Sequence, residues 1–187
     1  MPSVVAILKQ ADIFEGLTAT QMELIGSICT EKQYSSGDVL FKENTPGDGL
    51  YVIVSGTVEI QVDPSLVAGH HVGDPYTIAT LRRGQSFGEI ALVDEGFRSA
   101  SARVVQYDTH LIHIPREALM LLCNTYPALG YRLMRNLAAD LAMKIRSTDL
   151  KVRDHLYWTQ VKGRNMPAGG EGLAATDVPS GTASEPK

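Results

Sequence analysis

Between Lys32 and Ile114 the apolar residues follow a period of two, in short runs cut by glycine turns, and this most limits what the chain can become. Tyr34, Val39-Leu40-Phe41, Leu50 to Val54 and Val58-Ile60-Val62 are rich in β-branched and aromatic side chains. Ser36-Gly37-Asp38, Pro46-Gly47-Asp48-Gly49 and Ser55-Gly56 separate them as turns. Glu59 and Gln61 alternate with Val58, Ile60 and Val62, as in a strand buried on one face. Tyr76 to Leu81 adds a further run, Ala100-Ala102-Val104 alternates with Ser101-Arg103-Val105, and Leu111 to Ile114 is the last strand, with His113 alternating outward from Ile112 and Ile114. Strands this short and this regularly spaced predict a sandwich or barrel.

Helical periods flank the strands. Val4, Val5, Leu8 and Ala11 predict a first helical segment that Gly16 ends. Thr18, with Gln21 three residues on, is a capping-box pattern opening a second helix with Leu24, Ile25 and Ile28 on its apolar face. Pro115 fits the first position of a helix that stops near Asn124. Pro127 starts another that nothing breaks before about Trp158, because Gly130 is tolerable. Leu133, Leu137, Leu141 and Ile145 form its i, i+4 stripe. Some thirty residues would be roughly 45 Å long, more than a small barrel needs for cover. The surplus predicts a lid or pairing with a second copy.

The residues with chemistry in them lie in Phe87 to Ala102, FGEIALVDEGFRSASA. Gly88 lets backbone approach a ligand with no Cβ in the way, and unpaired N–H groups at a helix start favour an anion. Arg98 can grip two phosphate oxygens with its planar fork, and Ser99 can donate a further hydrogen bond. Glu89 would repel a phosphate, but it can accept from a sugar hydroxyl beside one. One cation and one such carboxylate suggest a cyclic nucleotide.

Gly88-Glu89-Ile90-Ala91-Leu92, a short loop and then Arg98-Ser99-Ala100 resemble the phosphate-binding cassette of cyclic nucleotide-binding domains. The resemblance covers about residues 5–160 and is to the sensor domain of the bacterial catabolite activator and Fnr-like family. It implies an α+β fold: a β-roll (a double-stranded, jelly-roll-like barrel) flanked by N-terminal helices and a long C-terminal helix. The expected domain is 1–162, with N-terminal helices in 4–30, the β-roll in 32–114 and C-terminal helices in 115–161. The resemblance places the nucleotide against Phe87, Gly88, Glu89, Ile90, Ala91, Arg98, Ser99 and Ala100. Gly88 and Ala91 would lend N–H groups to the cyclic phosphate, Glu89 would accept the ribose 2′-OH, and Arg98 would pair with the phosphate. Aligned on Pro127, the family's base lid falls on Asp140, Leu141, Lys144 and Ile145. Leu141 suits an apolar lid. Lys144 stands where the bacterial cAMP-responsive regulators have a small hydroxyl residue, and Asp140 can accept from a guanine edge. cAMP is the expected ligand, with cGMP the alternative.

Charge is uneven along the chain. Residues 1–130 carry 8 Lys and Arg against 15 Asp and Glu, whereas residues 131–164 carry 8 against 3. A basic helix can meet nucleic acid or an acidic partner, or simply face solvent. From Gly163 the composition is dominated by Gly, Pro, Ala, Ser and Thr, which predicts a disordered tail over 163–187. It leaves no room for the winged helix-turn-helix that follows the long helix in the transcription regulators this domain resembles, which makes DNA a disfavoured partner. The start MPSVVAILKQ has no basic n-region, and no apolar run is long enough to span a bilayer. Cys29 and Cys123 lack metal-ligand spacing and are expected as reduced thiols in a cytoplasmic protein. His70 and His71 are adjacent, so they cannot share a face, and no carboxylate stands at ligand spacing. The expectation is a bacterial, stand-alone, non-enzymatic sensor with no cofactor, acting on a protein partner and capable of a homodimer through its long helix. A regulator touching nucleic acid and a cupin-like barrel enzyme are the alternatives.

Overall fold

The computed structural model describes residues 3–65, 73–94 and 96–164, with side chains to residue 160. His70, His71 and most of the tail lie outside them. The helices are α1 (Val4–Leu8), α2 (Ala19–Ser27), α3 (Glu89–Val93), α4 (Arg116–Thr125) and α5 (Pro127–Arg164). The strands are β1 (Thr30–Tyr34), β2 (Val39–Phe41), β3 (Gly49–Ser55), β4 (Thr57–Val62), β5 (Tyr76–Arg82), β6 (Ser86–Phe87), β7 (Ser101–Val104) and β8 (Thr109–Pro115). They form two four-stranded antiparallel sheets, ordered β1-β8-β3-β6 and β2-β7-β4-β5. This is the α+β, jelly-roll-like architecture that the family resemblance implies.

The described residues divide between Lys144 and Ile145 into two compact units. In the first, β3 and β8 are buried on both faces, which explains why Leu50 to Val54 reads as an unbroken apolar run. Leu50, Val52, Ile112 and Ile114 face the helices and pack with Leu8, Phe14, Met22, Ile25, Leu119, Leu129, Leu133 and Leu137. Tyr51, Ile53 and Leu111 face the other way, into a second core with Val58, Leu81, Phe87, Ala102 and Val104. The second unit's described part is α5 from Ile145 onward, where Ile145, Leu150, Val152, Leu156, Tyr157 and Trp158 are exposed.

Four local expectations are corrected. α1 ends at Leu8 because the backbone extends at Ala11, after which a 3₁₀ turn over Asp12–Phe14 drops Ile13 and Phe14 into the core. Pro115 is the cap of α4 with extended ψ, and ends β8, instead of occupying the first helical position. α5 continues past Trp158 to Arg164. His113 is not turned to solvent: paired with Tyr51 across the sheet, it shares that residue's inner face, and the two ring centroids are 4.7 Å apart. The expected capping box at Thr18 and Gln21 is formed reciprocally. Gly130 is more than tolerated, since a Cβ there would come within 2.8 Å of the Cys123 carbonyl oxygen. Burial pushes the Cys123 thiol up, and burial and then Glu31 push Cys29 up to about 12, so both stay protonated at neutral pH.

Candidate functional site

The turn before β3 and the loop after α3 converge on Arg98. Pro46 and Phe97 form an isolated antiparallel bridge, the Asn44 N–H donates to the Arg98 carbonyl (2.9 Å), and the Arg98 N–H donates to that of Thr45 (2.8 Å). The Arg116 N–H fixes the turn further by donating to the Asp48 carbonyl at 2.9 Å. So anchored, the Arg98 side chain is only 2% exposed. Its Nη1 donates to the Gly88 carbonyl (2.9 Å), and its Nη2 donates to Asp48 Oδ1 (2.7 Å) and to the Gly49 carbonyl (2.9 Å). The guanidinium lies 4.1 Å from the centroid of Phe41, a cation–π contact. Its Nε is buried without a hydrogen-bond partner among the described residues. A buried cation is costly unless paired. Here its charge partner, Asp48, is itself 68% exposed.

Gly88 is required twice over. Its φ of 88° is left-handed, and a Cβ on it would stand 2.6 Å from Arg98 Nη1. Next in the chain, Glu89 is 5% exposed. Its Oε1 accepts from Lys144 Nζ at 2.9 Å, and the same ammonium donates to the Ser86 carbonyl at 2.9 Å and pairs with Asp140 Oδ2 at 2.7 Å. Burial alone would lower the Lys144 pKa, but Glu89 and Asp140 together outweigh it and raise it above the ordinary lysine value. Among the described residues one ammonium lies between two carboxylates at this end of the cassette, while the Arg98 guanidinium is paired with Asp48.

The cassette residues are brought together, but they do different work. Ala91 and Ala100 are buried, Ser99 is exposed, and Ile90 is largely open to solvent. Phe87 is buried in the inter-sheet core, stacked on Tyr51 with centroids 5.2 Å apart. Of the expected base lid, Asp140 and Lys144 are drawn into the ion cluster on Glu89, Leu141 is half-buried, and Ile145 is exposed in the second unit. Sequence reasoning missed Asp48, Gly49, Phe41 and Ser86. Asp48 was legible only as part of a Pro-Gly-Asp-Gly turn, and Phe41 gave no signal beyond its strand. Burial lowers the His113 pKa, which Asp48 partly opposes from 3.7 Å. Among the described residues no cluster of three or more His, Cys, Asp and Glu could hold a metal, and no helix is long and apolar enough to cross a membrane.

Residues 31–126 match the family model described as the cyclic nucleotide-binding domain. The chain belongs to that family. Over 157 residues it is 34% identical to the "Cyclic AMP receptor protein" of Thermus thermophilus, covering 84% of this chain and 67% of the relative. It is 29% identical over 160 residues to the "CRP-like cAMP-activated global transcriptional regulator" of Mycobacterium tuberculosis, covering 84% of this chain and 65% of the relative. The cyclic nucleotide-binding chain thus spans about two thirds of the length of these two relatives. The crystal structure of the Thermus thermophilus catabolite activator protein superposes with a TM-score of 0.65 at 34% identity, covering 82% of this chain and 67% of that one.

Proposed function

We propose that this cyclic nucleotide-binding domain is a cAMP sensor in which Arg98 holds the cyclic phosphate and Glu89 accepts the ribose 2′-hydroxyl. One observation carries the reading: a guanidinium that is 2% exposed, braced by two carbonyls, whose buried Nε has no hydrogen-bond partner among the described residues. Such a donor is complementary to a phosphate oxygen. The backbone N–H groups of Gly88 and Ala91 lie on the same cassette, and Ser99 is accessible for a further donation. The names of the two relatives, both of which cite cyclic AMP or cAMP, favour cAMP over cGMP.

The bound nucleotide shifts the position of α5, to the extent that it binds one position better than the other. The protein acts in the cytoplasm on a protein partner, and the exposed apolar residues of α5 suit a homodimer. Calorimetric titration with cAMP and with cGMP tests the assignment. Saturable heat with tighter binding of cAMP is expected, the reverse order makes cGMP the signal, and no saturable heat with either refutes the sensor reading.

A second reading, a regulator contacting nucleic acid, is favoured by the transcriptional role in the name of the Mycobacterium tuberculosis relative. It predicts duplex DNA binding that weakens steeply as salt rises. The sensor reading with a protein partner predicts none.

A further inference from the structure

We propose that Lys144 is a positioning residue for the sugar: it occupies Glu89 Oε1 and so presents Oε2 to the ligand's 2′-hydroxyl, joining ribose recognition to α5. This rests on the reading of Glu89 given above. Lys144 Nζ donates to Glu89 Oε1 and to the Ser86 carbonyl, both at 2.9 Å, and forms an ion pair with Asp140 Oδ2 at 2.7 Å. The ammonium is therefore held from three directions. Asp140, one turn earlier on α5, orients the lysine, while Ser86 belongs to β6, immediately before the cassette. A carboxylate as buried as Glu89 needs such a partner to hold it in place.

The charge count gives this cluster a second role. Among the described residues one cation stands against Glu89 and Asp140 in this cluster, which suits a hydroxyl and repels a phosphate. Arg98, which donates to the Gly88 carbonyl, takes the phosphate. The two sites together fix which way round the nucleotide lies. Because Glu89 then serves ligand and helix at once, docking of α5 through Lys144 and affinity for the sugar become linked quantities, each strengthening the other.

The test titrates cAMP and 2′-deoxy-3′,5′-cyclic AMP against wild type, Lys144→Met, Lys144→Gln and Lys144→Arg, with the fold of each checked by circular dichroism melting. Wild type is expected to prefer the ribonucleotide by about tenfold or more. Lys144→Met and Lys144→Gln should lose most of that preference, mainly by weakening cAMP, and Lys144→Arg should recover part of it. Both neutral variants are measured so that the ratio can be read on whichever melts higher. Combining Lys144→Met with Glu89→Gln should weaken cAMP little beyond Glu89→Gln alone. Equal weakening of both nucleotides, with the preference intact, would make Lys144 only a helix tether and overturn the proposal. So would a preference unchanged in every respect, or a wild type that binds both equally. A wild type that binds neither nucleotide refutes the site reading itself, a result distinct from these.

Discussion

Arg98 and Glu89 are two buried charges of opposite sign separated in sequence by one short helix and its loop, and each is completed from far along the chain. Asp48 reaches Arg98 across 50 positions, and Lys144 reaches Glu89 across 55. The cassette itself was legible because its residue types stand at fixed short spacing. Its partners were not, since only the sheet topology brings the 46–49 turn and α5 to it. His113 shows the same limit: alternation with Ile112 and Ile114 is real, but both faces of β8 are buried, so alternating did not mean facing water. That burial has a pH signature. The His113 pKa is lowered from 6.5 in the folded protein, so the unfolded chain takes up the proton more readily. The contribution to stability is present above about pH 6.5 and is lost as pH falls through the folded value. Melting temperatures of wild type and His113→Gln measured across pH 5–8 should show a smaller acid-side decline in the variant; parallel curves would contradict it.

At the scale of elements, local chemistry decided the starts of helices better than their lengths. The Thr18–Gln21 capping box needs only four consecutive residues, and both of its hydrogen bonds are present. Thr18→Ala should cost about 1 kcal/mol, lowering the melting temperature by roughly 2–4 °C. Thermal denaturation monitored by circular dichroism checks this. α1 was over-extended from sequence because Ala11 continues the apolar period, whereas tertiary packing spends that residue on an extended link that seats Ile13 and Phe14. The same competition set Pro115, whose fixed φ serves a helix cap as readily as a first turn.

For the whole molecule, the short and regularly spaced strands predicted a sandwich or barrel, but not that β3 and β8 would be its shared wall between two cores. Leu133 belongs to the helical core and is fully buried. Leu133→Ala should therefore lower unfolding free energy by about 2–5 kcal/mol in chemical denaturation, whereas a change under 1 kcal/mol would mean that α5 contributes little to that core. The central claim concerns what this framework holds: a cyclic phosphate on Arg98. Its most direct test is calorimetric titration of wild type and Arg98→Ala with cAMP. Loss of the buried guanidinium should cost about 2–5 kcal/mol of binding, a weakening of roughly 30-fold or more, in a variant that still melts cooperatively. A folded Arg98→Ala protein that binds cAMP as tightly as wild type would contradict it.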